Sequence, residues 1–326
     1  MNATASKVVL ITGASAGLGA AVARELAGRG HRLALVARRA DLLERVAEEI
    51  RSRGGTAACL PDDLADPGAP ARIVEAVSRH FGTLDVLINN AGIGLPDFFG
   101  RSDPDALRRQ VEVNLTAPLV LARLALPMLI ESKGIVVNIG SGIVRLPNPS
   151  LGAYGATKAG LSYWTDALRR ELRHLGVRVC LVELGPVETE FFDAVGRLEG
   201  GDRGLLGPTP AGFVYNAMRD RPPGLMMAPL SEAARRIAGL VDAPRPLLAV
   251  SRRVIWPVRL AGAFFGLLPV LADLAVSGMI RRVDRERPGP VPRRPEAPGT
   301  PPSPSPSPAE EEGASPQVMA SRSDSR

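Results

Sequence analysis

The chain has 326 residues, of which 45% are hydrophobic and 23% are charged, and it carries a net charge of +6. This length and apolar content allow a large buried core, while only two cysteines, Cys59 and Cys180, both in predicted buried strands, exclude a disulfide-rich scaffold and a thiolate metal site. No secretory apolar segment precedes the first predicted strand, so we expect the folded part of the protein in the cytoplasm.

The first predicted element is a buried strand from Lys7 to Thr12, followed by a glycine-rich turn and by a helix from about Gly17 to Gly28. Glycines in such a turn let the backbone approach a pyrophosphate, and the helix N-terminus favours its negative charge. The alternative is a turn that only connects two elements. The later motifs favour a dinucleotide site, whose candidate residues are Thr12, Gly13, Ser15, Ala16, Gly17, Leu18 and Gly19.

The second predicted strand ends at Ala37 and is followed by Arg38 and Arg39. NAD-preferring proteins usually place an acidic residue at this point, where it binds the ribose 2′-hydroxyl. An acid would repel a 2′-phosphate, whereas an arginine can bind it through two parallel hydrogen bonds. The pair therefore favours NADP(H) over NAD(H), and the alternative is that the two arginines only begin a surface helix.

Strands and helices alternate along the first 250 residues, which predicts an α/β fold with a doubly wound, seven-stranded parallel sheet of the Rossmann type. The three histidines, His31, His80 and His174, fall near the ends of predicted elements, and we expect them at the surface. The predicted strands are Lys7 to Thr12, Arg32 to Ala37, Thr56 to Leu60, Leu84 to Asn89, Gly134 to Ile139, Arg178 to Leu184 and Leu247 to Ser251.

Tyr154 and Lys158 lie four residues apart in a predicted helix, so their side chains share one face. A free tyrosine titrates near pH ~10, and a neighbouring ammonium should lower its pKa toward the working range of an acid or base catalyst. Only three of the 40 basic residues are lysines, so we do not expect a lysine at this position to be only one of many solvent-exposed charges. Alone, such a pair is more often a solvated helix face.

Together these motifs resemble the short-chain dehydrogenase/reductase family from about Lys7 to Ser251. The first glycine turn looks like the family's T-G-x-x-x-G-x-G cofactor loop. Asp63 and Leu64 look like its adenine contact. The sequence Asn89-Asn90-Ala91-Gly92 matches its N-N-A-G motif, which implies further cofactor contacts at Asn90, Ala91 and Gly92.

The resemblance also implies a catalytic tetrad of Asn114, Ser141, Tyr154 and Lys158. Tyr154 would be the general acid or base, and Lys158 would lower its pKa and hold the nicotinamide ribose. Ser141 would bind the substrate oxygen, and Asn114 would position a water. After the sixth strand, leucine replaces a common family proline at position 184, and the implied nicotinamide-side contacts are Gly185, Pro186, Val187 and Thr189.

The implied function is an NADP(H)-dependent oxidoreductase that interconverts a carbonyl and a secondary alcohol, acting on an apolar or lipid-like small molecule. Residues 190–229, rich in glycine, proline and apolar side chains, suit a lid over such a substrate or a loop that packs on itself. A cofactor-binding sensor without catalysis is the alternative, although it would not need the complete tetrad. The family commonly forms dimers or tetramers through the helices that carry Asn114 and Tyr154.

The last strand should end the oxidoreductase domain, residues 1–251. An apolar helical segment at 252–287 follows, and residues 245–287 hold eight arginines and only three acids, which accounts for most of the net charge. Its apolar core is too short for a membrane span of about 20 residues. It could cap the pocket, form a dimer interface, or anchor the protein at anionic head groups of a membrane, which would make the protein a membrane-docked scaffold. No recognition motif supports nucleic acid. The proline- and serine-rich tail, 288–326, should be disordered.

Overall fold

A computed structural model describes residues 5–95, 99–145, 150–187, 227–251, 255–256 and 259–260. Several predictions lie outside these residues: Thr189, all but the last three positions of the lid, most of the segment at 252–287, and the whole tail at 288–326.

A seven-stranded parallel sheet forms the centre of the described fold, with the strand order β3-β2-β1-β4-β5-β6-β7. The order reverses between β1 and β4, which is the arrangement of a doubly wound sheet, so the predicted fold class is confirmed. Each predicted strand is present to within two residues. The strands are β1 (Val8–Thr12), β2 (Arg32–Ala37), β3 (Thr56–Pro61), β4 (Val86–Asn89), β5 (Ile135–Ile139), β6 (Arg178–Leu184) and β7 (Leu247–Val250).

Helices cover both faces of the sheet. The central strands β1, β4 and β5 are buried along their whole length, which explains their continuous apolar sequence. One face packs against α1 (Gly17–Gly28), α2 (Ala40–Ser52) and α7 (Leu230–Asp242). The other packs against α3 (Ala69–Phe81), α5 (Ala117–Glu131) and α6 (Gly152–Leu172), with α4 (Pro104–Val111) beside α6.

A π-helical turn, Glu112–Thr116, joins α4 to α5 in one continuous helical stretch. The stretch Pro104–Glu131 is apolar and long enough to span a membrane by composition. Core helices of globular proteins pass the same test, and α5 contributes the fully buried Leu121 and Leu129 to the core. The position of this stretch in the helical layer therefore accounts for the apolar side chains that it buries.

His31 is buried, so the predicted surface position is wrong for this histidine. Its Nδ1 accepts a hydrogen bond from the backbone N–H of Lys7 at 3.2 Å, and its Nε2 lies 3.9 Å from Asp242 Oδ1. Burial lowers the pKa of His31, although the carboxylate of Asp242 opposes that shift. The residue joins the starts of β1 and β2 to the end of α7, a contact that its place in the sequence does not reveal.

Candidate active site

The glycine turn between β1 and α1 leaves no room for side chains at two positions. Gly13 has a φ of +68°, a left-handed conformation that favours glycine. A methyl group on Gly19 would lie 2.2 Å from the carbonyl oxygen of Gly13, so only glycine permits this contact between the helix and the turn. The turn and the N-terminus of α1 therefore form a cradle that fits a dinucleotide pyrophosphate.

Thr12 and Asn90 brace this turn against the end of β4. The Thr12 hydroxyl accepts hydrogen bonds from the backbone N–H groups of Asn90 and Ala91, each at 3.0 Å. In return, the Asn90 amide donates to the carbonyl oxygens of Thr12 at 2.9 Å and Gly13 at 3.3 Å. The Thr12 side chain is buried, so the role that the structure shows for it is to shape the cofactor turn.

Two arginines lie beside the cradle at the end of β2. Arg39 Nη2 donates a hydrogen bond to the Ser15 hydroxyl at 3.3 Å, which brings a guanidinium to the glycine turn. Arg38 is exposed, and its charge also reaches Asp63. The predicted 2′-phosphate residues and the glycine turn therefore form one basic corner.

Asp63 is held in place by a residue that the sequence did not indicate. Its carboxylate accepts hydrogen bonds from Arg109 Nη2 at 2.7 Å and from the backbone N–H of Ala65 at 3.0 Å. Burial raises the pKa of Asp63, but these hydrogen bonds and the charges of Arg109 and Arg38 outweigh burial and leave the pKa below its usual value. Leu64, the other predicted adenine contact, has its side chain in the core.

Asn114 lies in the π-helical turn and is fully buried. Its Oδ1 accepts from the backbone N–H of Ile93 at 2.8 Å, and its Nδ2 donates to the Ile93 carbonyl at 2.8 Å and to the Thr157 hydroxyl at 3.2 Å. Thr157 in turn donates to the Tyr154 carbonyl at 2.8 Å. The side chain thus joins the loop after β4 to the first turns of α6, and its predicted contact with a water stays a prediction.

Ser141, Tyr154 and Lys158 come together where β5 ends and α6 begins. The Tyr154 phenol is hydrogen-bonded to Ser141, and Lys158 Nζ lies 6.0 Å from the centre of the Tyr154 ring. Lys158 is buried and donates to the Ile139 carbonyl at 2.9 Å. A methyl group on Gly92 would lie 3.4 Å from both Lys158 Nζ and Asn114 Oδ1, which places the N-N-A-G motif at the same site.

The pKa of Tyr154 differs from the expected direction. Burial raises it to about 12, and the hydrogen bond with Ser141 opposes this shift only in part. Burial also lowers the pKa of Lys158 to about 8. The desolvation of both side chains outweighs the expected effect of the ammonium on the phenol, so the tyrosine is a fully protonated hydrogen-bond donor at neutral pH.

The turn after β6 is fixed from two sides. The backbone N–H of Gly185 donates to the Val250 carbonyl at 3.4 Å, and the Pro186 carbonyl accepts from Ala228 N–H at 2.9 Å and from the Ser251 hydroxyl at 3.0 Å. Val187 forms a bridge with Ala228, so three of the predicted nicotinamide-side residues, Gly185, Pro186 and Val187, lie in a hydrogen-bonded turn even with leucine at position 184. In the described ranges, no three His, Cys, Asp or Glu side chains cluster as metal ligands.

The doubly wound sheet and the glycine cradle define a nucleotide-binding fold of the α/β class, and Ser141, Tyr154 and Lys158 lie together beside the cradle. The short chain dehydrogenase family matches residues 7–199, more than half of the chain. The chain therefore belongs to the short-chain dehydrogenase/reductase family.

Three similar proteins illustrate this membership. An 11-beta-hydroxysteroid dehydrogenase-like protein of Arabidopsis thaliana is 40% identical over 192 residues, 57% of this chain and 61% of the relative. Dehydrogenase/reductase SDR family member 7B of Bos taurus is 32% identical over 272 residues, 80% of each chain. The crystal structure of a metagenomic short-chain oxidoreductase in complex with NADP is 35% identical with a TM-score of 0.55, and the match covers 61% of this chain and 93% of that one. The first relatives by similarity are matched over only 61–64% of their own lengths.

Proposed function

We propose that the protein is an NADP(H)-dependent oxidoreductase that interconverts a carbonyl and a secondary alcohol, with Tyr154 as general acid or base. The observation that carries this proposal is the meeting of Ser141, Tyr154 and Lys158 beside the glycine cradle. A protein that only bound a nucleotide would not need a buried lysine next to a half-buried phenol. The catalytically idle sensor is therefore the weaker alternative.

The chain's own groups account for the proton side of this reaction. The protonated Tyr154 phenol can donate a proton to a carbonyl oxygen, and the Ser141 hydroxyl can stabilise the charge that develops on that oxygen. Lys158 would bind the nicotinamide ribose, and the charge that it gains below pH 8 would stabilise the phenolate. A bound nicotinamide cofactor supplies or accepts the hydride.

The preference for NADP(H) is supported by the basic corner. Arg39 reaches Ser15 in the glycine turn, Arg38 lies next to it, and no acidic residue occupies the end of β2. Similar solved structures carry NADP or NADPH. Asp63 would face the adenine side, with one oxygen engaged by Arg109.

An apolar substrate is supported by the names of several relatives, which are 11-beta-hydroxysteroid dehydrogenases or proteins like them. The segment 190–229 remains the proposed lid. We also propose that the enzyme works as a cytoplasmic homo-oligomer. Membrane contact through 252–287 is the alternative, and co-flotation of the chain with anionic liposomes that is lost on truncation at Arg253 would support it.

The experiment that tests the function compares NADPH and NADH binding by fluorescence titration in the native protein, Arg38→Asp and Tyr154→Phe. We expect Arg38→Asp to weaken NADPH binding by about tenfold or more, since a charge-assisted phosphate contact contributes roughly 1.5–3 kcal/mol, and to leave NADH binding little changed.

Turnover is then measured on a panel of aliphatic, aromatic and steroid ketones. Tyr154→Phe should retain NADPH binding but lose turnover by a factor of about 100 or more. NADPH binding without any Tyr154-dependent turnover would favour the sensor, and no binding of either nucleotide would contradict both functions.

A further inference from the structure

An ion pair between the half-buried Arg259 and the buried Glu183 connects β6 to the residues that follow β7. Arg259 Nη2 lies 3.0 Å from Glu183 Oε1, and the Glu183 side chain is 0% exposed. A carboxylate inside a sheet is strongly disfavoured by desolvation unless a cation approaches it. The guanidinium of Arg259 is therefore held by Glu183 inside the fold. This arginine is not available to bind lipid head groups.

We call the described residues after β7 the post-β7 segment (Ile255, Trp256, Arg259 and Leu260), and one of them, Ile255, lies beside the turn after Ser141. Ile255 is buried, and its backbone N–H donates to the Ser251 carbonyl at 3.1 Å. A methyl group on Gly142 would lie 3.5 Å from Ile255 Cγ1, which is van der Waals distance. Ile255 therefore lies beside Gly142, the residue that follows Ser141, with room for at most a methyl group between them.

Ser251 connects the start of this segment to a second loop of the site. It has a φ of +59°, and its hydroxyl donates to the Pro186 carbonyl in the turn after β6. The chain after β7 consequently contacts the turns that follow β5 and β6, at the carboxyl ends of the strands where doubly wound folds bind their ligands.

We propose that Arg259 is a positioning residue of the active site. Through its ion pair with Glu183 it holds the post-β7 segment against Gly142, which keeps Ser141 in hydrogen-bonding position to Tyr154 and makes the segment one wall of the carbonyl pocket. This inference rests on the proposed oxidoreductase function. It assigns to Arg259 a role in the alignment of the substrate oxygen and no role in the binding of NADPH, whose cradle lies at α1.

Trp256 provides a direct measure of this packing. The Arg259 guanidinium lies 5.3 Å from the centre of the Trp256 ring, and Trp256 is 59% exposed. The chain has only one other tryptophan, Trp164, in α6. In a Trp164→Phe background, the emission of Trp256 and its quenching by acrylamide report on the segment whether or not the protein turns over a substrate.

In that background the test compares Arg259→Met, Arg259→Lys and the double variant Glu183→Gln/Arg259→Met. The double variant removes the pair without leaving a buried carboxylate, so it guards against a simple failure to fold. Arg178→Met is the matched control, because it replaces an arginine at the opposite end of the same strand.

We expect both Arg259→Met variants to show stronger acrylamide quenching of Trp256 and a kcat lowered by about ten- to a hundredfold, as misplacement of a catalytic group produces. The Kd for NADPH should stay at the native value, whereas a general loss of folding would change it. Arg259→Lys should recover part of kcat, and Arg178→Met should match the parent in every measurement.

Unchanged quenching of Trp256 in the double variant would overturn the inference, and so would a native kcat in that variant. If the parent shows no Tyr154-dependent turnover on any ketone, the proposed function fails and the positioning role falls with it. Normal turnover in the double variant, by contrast, would overturn only the role of Arg259.

Discussion

The burial of Lys158 beside Tyr154 suits the proposed catalysis but lowers the stability of the fold. Its pKa falls from the ordinary 10.5 to about 8 because the fold removes the ammonium from water. Between these values the unfolded chain holds a proton that the folded chain has lost. The free energy of unfolding should therefore rise with pH from about 8 to 10.5, by roughly 3 kcal/mol from this residue.

Lys158→Met should consequently abolish turnover while raising the free energy of unfolding at pH 7 by about 2–3 kcal/mol. The gain should shrink as the pH approaches 10, before Tyr154, with its raised pKa, begins to lower stability above pH 10. Urea unfolding at pH 7 and pH 9.5 measures both values. Lys133→Met, at an exposed lysine, is the control, and a gain that is the same at both pH values would contradict the role of burial.

The sequence predicts single residues where local spacing carries the chemistry, as for Tyr154 and Lys158 on one helix face. It does not predict partners that the fold brings together from distant positions. Arg109 reaches Asp63 across 46 residues, and Arg259 reaches Glu183 across 76. The upward shift of the Tyr154 pKa also could not be predicted from the sequence, because desolvation depends on the packing around the ring and not on the neighbouring lysine alone.

At the scale of elements, α1 contains two glycines, Gly19 and Gly28, whose replacement by alanine should have opposite effects on stability. A methyl group on Gly19 would collide with the Gly13 carbonyl at 2.2 Å, whereas nothing lies within 4 Å of one on Gly28 at the other end of the helix. We expect Gly19→Ala to lower the free energy of unfolding by about 1–3 kcal/mol and to weaken NADPH binding, since the turn must move.

Gly28→Ala should instead raise the free energy of unfolding by about 0.4–1 kcal/mol, because alanine restricts the unfolded chain and fits the helix. Urea unfolding and NADPH titration measure the two variants together. Equal effects of the two substitutions would contradict a close contact between α1 and the glycine turn.

The strands were predictable because continuous apolar sequence between turn residues is typical of a parallel sheet covered on both faces. The π-helical turn at Glu112–Thr116 was not, because one additional residue in a helical turn leaves the apolar pattern nearly unchanged. This turn nevertheless matters for the site, because it contains Asn114, whose side chain forms hydrogen bonds with both Ile93 and Thr157. The burial of His31 likewise depends on the packing of α7, which lies about 200 residues further along the chain.

At the scale of the whole molecule, α5 and α6 expose apolar side chains on one side of the sheet. Val120 and Leu124 on α5 are 38% and 40% exposed, and Tyr163 on α6 is 80% exposed. A two-fold interface would pair these surfaces with their copies and bury side chains that are unfavourable in water. A specific dimer covers about 800 Å² on each partner, an area that two helices on the same face of the sheet can supply.

We therefore expect the native protein to sediment as a dimer or tetramer, and Leu124→Glu/Tyr163→Glu to shift it toward the monomer mass of 34.4 kDa. Arg45→Glu places the same carboxylate on α2, across the sheet, and should leave the mass unchanged. Because α6 also carries Tyr154 and Lys158, the loss of the interface should lower turnover and stability together. A native protein that sediments at 34.4 kDa would refute the interface. The exposed apolar side chains of α5 and α6 would then have to pack against something other than a second copy of the chain.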